Sequence, residues 1–136
     1  MFGRRIKIAG RGLKKRGKKM NTKGIATLLN HMGGSRAYLG FRYAVNCVDL
    51  ILQNEELQYY VTEPYVDTAT KYHTTVGCVE RNVRTLIKHI WEEGDREVLN
   101  QVASVNLKTC PKNKAFFAMV AVYFRERVDP STYIND

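Results

Sequence analysis

Apolar residues recur three and four positions apart along most of this chain, a spacing that gathers them on one face of a helix. The longest stripe is Val79, Val83, Leu86, Ile87, Ile90 and Trp91. It predicts a helix of roughly five turns, from about Val76 to Glu93. Thr75 is placed to cap its start, and Gly94 stops it within Glu92-Glu93-Gly94-Asp95. Upstream, Tyr65, Val66, Ala69 and Tyr72 make a shorter stripe behind Pro64, a residue suited to a first helical turn. The two helices meet at His73 to Gly77.

The same spacing continues on both sides. Ile25, Leu28, Leu29 and Met32 predict a helix over 24–32, ended by Gly33-Gly34. Ser35 is the expected cap of the next, which carries Tyr38, Phe41, Val45, Val48, Ile51 and Leu52. Asp95 caps a short helix bearing Val98, Leu99 and Val102; a loop over 105–112 follows, and Asn113 is the expected cap of a last helix. No alternating strand pattern competes and no repeat is present, so the fold class is all-α with about six helices. In the last helix Phe116, Phe117, Met119, Val120, Val122, Tyr123 and Phe124 are apolar on nearly all sides. Two readings stay open for it: a dimer contact through Val122 and Tyr123, or a fully buried core helix.

Opposite the long stripe, Arg81, Arg84 and Lys88 lie within about 60° of one another at 3.6 residues per turn. Glu80 and Asn82 flank this basic row. Arginine matches guanine O6 and N7 with two hydrogen bonds, which makes Arg81 the candidate base reader of a helix entering a major groove. Glu80 suits a cytosine amino group or a brace for Arg81. Arg84, Lys88 and the hydroxyls of Thr74 and Thr75 suit phosphate oxygens. From spacing alone, an ordinary solvated face is the stronger reading.

Charge changes the picture. Of the net +9, the first 48 residues hold twelve Lys and Arg and no acid, while the other 88 hold ten basic and thirteen acidic side chains, hence −3. Most of the excess is at Arg4, Arg5, Lys7, Arg11, Lys14, Lys15, Arg16, Lys18 and Lys19, broken by glycines. Such a stretch buries too little apolar surface to fold alone and reads as a flexible basic arm over residues 1–23, trailing along phosphates or entering a minor groove. A solubilising leader or former interdomain linker is the plainer alternative. The arm lacks the apolar core of a secretion signal, and no run reaches the eighteen apolar residues of a membrane span. Cys47, Cys78 and Cys110 are odd in number and widely spaced, against a disulfide framework or a zinc site, and fit a reducing cytoplasm. Catalysis has little support: His31, His73 and His89 are scattered, Glu55-Glu56 and Glu92-Glu93 are ordinary helix ends, and no glycine loop cradles a phosphate. No cofactor, metal or small-molecule substrate is expected.

One family resemblance rests on these residues. Thr74-Thr75, Val79-Glu80-Arg81, Arg84, Trp91 and Gly94 resemble, in order and spacing, the C-terminal effector domain of the stage zero sporulation response regulator. Tyr65, Asp67, Ala69, Lys71 and Tyr72 resemble its preceding helix. Ile25, Leu28, Leu29, Gly33, Gly40 and Tyr43 fit its opening helices, and Pro111, Asn113 and the run from Phe116 to Ala121 its last, with a short deletion before Pro111. The likeness covers roughly residues 24–127, leaving a tail from about 129 to 136.

The resemblance implies a compact orthogonal helical bundle containing a helix-turn-helix. It would bind a box in double-stranded DNA as a bacterial, nucleoid-associated regulator of transcription, with Glu80, Arg81 and Arg84 in the contacting helix and a homodimer through the last helix. Gly77 and Cys78 replace the family's usual Ser-Arg, so a polar and a basic contact are expected to be missing and sequence preference relaxed or shifted. No room for a receiver module precedes residue 24, so no phosphorylation switch of the family type is expected within this polypeptide. Two other readings are an interaction module pairing with a full-length regulator through the last helix, and a nonspecific DNA or RNA binder acting through the arm.

Overall fold

A computed structural model of the chain describes residues 21–54, 57 and 62–127. Six helices follow one another: α1 Thr22–His31, α2 Leu39–Gln53, α3 Thr62–Lys71, α4 Val76–Glu93, α5 Arg96–Ala103 and α6 Asn113–Arg127. Among the described residues no strand occurs. Residues 1–20 of the expected basic arm, residue 128 and the tail from 129 lie outside the described residues, while Thr22 and Lys23 of that expected arm stand in the first turn of α1.

The core is assembled around α2 and α4. Helix α2 packs on α1, α3, α4 and α6, while α4 packs on α2, α3, α5 and α6. Val79, Val83, Leu86, Ile87 and Ile90 of α4 are buried, as the spacing requires, and face Val48 and Ile51 of α2 and Phe116, Phe117 and Val120 of α6 within one apolar cluster. Trp91 is only half-buried. The Arg96 guanidinium lies 3.4 Å above its ring centre and donates to its carbonyl, so this end of the stripe is finished by a cation on an aromatic face.

Glycine makes the α2–α4 approach possible. A Cβ on Gly40 would stand 2.1 Å from the Asn82 carbonyl oxygen, so the second residue of α2 abuts the backbone of α4. A second backbone approach joins the end of α1 to the α4–α5 junction. Gly33, at φ +98°, closes α1 with the Gly34 N–H on the Leu29 carbonyl, and a Cβ there would meet the Gly94 Cα at 2.4 Å. The Asp95 N–H then donates to the Met32 carbonyl at 3.0 Å. Gly33 and Gly94 were expected only as helix stops; each also makes room for the other segment.

Several local expectations hold and others need correction. Thr75 and Asp95 cap α4 and α5 by accepting from the N–H groups of Cys78 and Val98. Ser35 does not cap α2: its hydroxyl oxygen accepts from Ala37 within a turn, and α2 begins four residues later at Leu39. Asn113 does not cap α6 either, because its side chain reaches across to α3 and α4. Helix α1 starts at Thr22, two residues before the expected start at 24 and three before its first apolar residue, Ile25, and the Asn21 N–H donates to the buried Asp49 carboxylate. In α3, Val66 is 44% exposed, while Pro64 and Thr68 are buried in its place. Thr68 belongs to a small polar cluster beneath α3, where its hydroxyl accepts from Asn46 at 2.9 Å and lies 3.4 Å from Cys47 Sγ.

Candidate nucleic-acid interface

Helices α3 and α4 are joined by four residues with a defined hydrogen-bond pattern. His73 takes φ 55°, a left-handed conformation that histidine enters more readily than most residues. Its N–H bonds to Thr70, and the Thr74 N–H reaches back to Ala69 at 2.9 Å, closing α3. The chain then leaves extended at Thr75, whose hydroxyl oxygen caps α4 and whose hydroxyl proton remains a donor. Val76 and Gly77, the first two residues of α4, have no intrahelical carbonyl to bond, so their N–H groups remain available as donors at this helix end.

Along the outer face of α4, Glu80, Arg81, Arg84 and Lys88 are all exposed. The Arg81 guanidinium lies back toward the helix start, its Nη1 only 3.2 Å from where a Cβ on Gly77 would stand. This is the direction helical side chains take, and it carries the longest polar fork to the end of α4 beside the turn. Among the described residues no carboxylate pairs with Arg81, and Glu80 does not brace it. The bare surface at Gly77 therefore gives Arg81 room, a role that the spacing of charges could not show.

Position 78 faces the other way. Cys78 is half-buried against the core, and its sulfur accepts from Asn82 Nδ2 at 3.3 Å. It also lies beside Tyr43, whose hydroxyl pKa is raised by burial and by that neighbour. Asn82 donates a second bond to the Cys78 carbonyl, so this flanking amide is spent inside α4. His89 is likewise engaged, stacked on Tyr38 with ring centres 4.7 Å apart and Nδ1 3.2 Å from the tyrosine hydroxyl.

Behind the exposed row, Asn113 at the start of α6 donates to Tyr65 Oη at 2.8 Å and to the Glu80 carbonyl at 3.1 Å. One amide thus ties α6 to both α3 and α4, one residue before Arg81. Burial pushes the Tyr65 hydroxyl pKa up, the Asn113 bond works against that, and Glu80 and Arg84 are near enough to act in opposite senses. Sequence reading assigned Asn113 to the family likeness and to a cap, since a cross-helix bond leaves no local signature.

Turn, cap, exposed basic row and supporting tether stand within one matched region. Residues 25–124 match the family described as sporulation initiation factor Spo0A C terminal. The chain belongs to the Spo0A C-terminal family. That family consists of DNA-binding effector domains of transcription regulators and is not a family of enzymes. The match runs from the first buried residue of α1, Ile25, to the last of α6, Phe124, so all six helices belong to the Spo0A C-terminal domain. Among the described residues no helix is long and apolar enough to cross a membrane, and no three His, Cys, Asp or Glu side chains gather as metal ligands.

Proposed function

We propose that this Spo0A C-terminal domain regulates transcription by recognising a short box in double-stranded DNA, with α3, the turn and α4 acting as a helix-turn-helix. The observation that carries the reading is the exposed, carboxylate-free Arg81 guanidinium at the start of α4, in line with Arg84 and Lys88. Helix α4 enters the major groove. Arg81 reads a guanine and Glu80 a neighbouring base, while Arg84, Lys88, the hydroxyls of Thr74 and Thr75 and the first amides of α4 hold phosphates. Arg4, Arg5, Lys7, Arg11, Lys14, Lys15, Arg16, Lys18 and Lys19 add affinity that is independent of sequence and falls with salt.

The test is binding to a duplex bearing the family's box and to a scrambled duplex, at two salt concentrations, with and without residues 1–19. Preference for the box should survive removal of the arm, and the salt dependence should flatten. Arg81→Ala should cut discrimination by roughly 1 to 3 kcal/mol. Equal loss on both duplexes would contradict base reading by Arg81.

Self-association through α6 accompanies this proposal. Val122 is 38% exposed, and Tyr123 is half-buried beneath the Arg127 guanidinium. Val122→Glu and Tyr123→Glu should convert a dimer to monomers by light scattering, and a parent chain that is already monomeric would end the idea.

A further inference from the structure

The start of α1, Arg36 of the connection that follows it, the first half of α2 and Tyr72 of the α3–α4 turn surround an open cavity of about 210 Å³. Three cations line it from three separate segments: Lys23 of α1, Arg36 of the α1–α2 connection and Arg42 of α2. No carboxylate lines it, and among the described residues none of the three cations has a carboxylate partner. Asp49, the nearest acid along α2, accepts from the Asn21 N–H and from Gln53. Three like charges around one hollow repel one another, and an anion placed there would remove that cost.

Two of the cations lie over aromatic rings. Arg36 lies 5.0 Å from the centre of Phe41, and Arg42 lies 5.7 Å from that of Tyr72. Contacts of this kind draw a guanidinium toward the ring face and leave its N–H groups available for a forked contact to an oxyanion. The buried Asn46 completes the wall, its amide held by Thr68 and Lys71. The hollow is smaller than a pocket for a drug-sized molecule, which takes about 300 Å³ or more, and suits a phosphate with a sugar-sized neighbour.

We infer that this cavity is a phosphate-ester site, with Lys23, Arg36 and Arg42 binding the oxyanion and Phe41 and Tyr72 flanking the group it is esterified to. Tyr72 is the first of the four residues that join α3 to α4, so the phosphate belongs either to a duplex lying on α4 or to a free nucleotide. The site stands independently of base reading by Arg81.

Thymidine 3′,5′-bisphosphate titrated into the full chain, followed by amide NMR, should shift Lys23, Arg36, Arg42 and Tyr72. The double variant Arg36→Gln/Arg42→Gln should weaken this binding by about tenfold or more, and Arg81→Ala should leave it unchanged. Both changed side chains are exposed, and a thermal melt matching the parent verifies the fold. Duplex binding then separates the sources. A salt slope smaller by about one to two in the double variant assigns the phosphate to the DNA backbone, whereas an unchanged slope with lost bisphosphate binding assigns it to a free nucleotide. Absence of shifts at the cavity together with an unchanged duplex salt slope would overturn the inference.

Discussion

Gly40→Ala places a methyl group where α2 meets α4. The new Cβ would lie 2.1 Å from the Asn82 carbonyl oxygen, 2.6 Å from its carbon and 3.1 Å from the Val83 nitrogen. A carbon and a carbonyl oxygen rest at about 3.3 Å or more, so the helices must part locally by roughly 1 Å. All three obstructing atoms are helical backbone and cannot rotate away. Overpacking of this kind costs typically about 1 to 3 kcal/mol, and here it also loosens the contact between the two helices that organise the core. Alanine recovers at most about 1 kcal/mol of helix propensity.

The expected net loss for Gly40→Ala is about 2 kcal/mol, on the order of 10 °C in melting temperature for a domain of this size. Gly77→Ala is the internal control. Gly77 is likewise the second residue of its helix, but its Cβ would meet only the movable Arg81 Nη1 at 3.2 Å. That variant should melt at or above the parent temperature while altering duplex binding through Arg81. The measurement is thermal unfolding by circular dichroism for both. A Gly40→Ala melt equal to that of Gly77→Ala would refute the backbone contact.

Other outcomes follow from single contacts. Asn113→Ala removes the shared donor from Tyr65 and Glu80 and should cost about 1 to 3 kcal/mol in urea unfolding; no change would mean that α6 is held by its apolar face alone. Thr75→Ala should cost about 1 kcal/mol by uncapping α4, and Thr75→Ser should restore most of it. Burial raises the Cys47 thiol from 9.0 to about 12, so only the unfolded chain ionises it in between. Stability from this group is intact below pH 9 and declines as pH rises toward 12. Native Cys47 should therefore resist iodoacetamide at pH 8 and react on unfolding; labelling at the rate of half-buried Cys78 would contradict its burial.

Much of this fold could be read from one-dimensional spacing, because a helix in a small domain needs one apolar face. The α4 stripe was legible for that reason, and Thr75 and Asp95 were legible because a cap acts on its own helix only three residues away. The failures share a cause. Asn113 looked like a cap but bonds residues 48 and 33 positions distant, Val66 shared a helical face with Tyr65 yet points to solvent, and Gly40 marked a crossing that no periodicity encodes. At the site, the row Arg81, Arg84 and Lys88 was visible in the sequence. The room that Gly77 gives Arg81 and the inward turn of Cys78 depend on packing, and so became visible only with three-dimensional neighbours.

The junction of Gly33 with Gly94, sealed by the Asp95 N–H on the Met32 carbonyl, closes α2 through α4 into a non-covalent ring fastened at the end of α1. Closing a ring of about sixty residues costs entropy that grows only slowly with its length, so the clasp persists if the enclosed segments are lengthened. It does not persist if α1 is removed. A shortened version beginning after Gly34 would retain every residue of α3 and α4 yet leave the far end of α4 without its backstop. The minimal fragment able to present α4 in its native pose is thus delimited by the first helix, more than forty residues before the helix that carries Arg81.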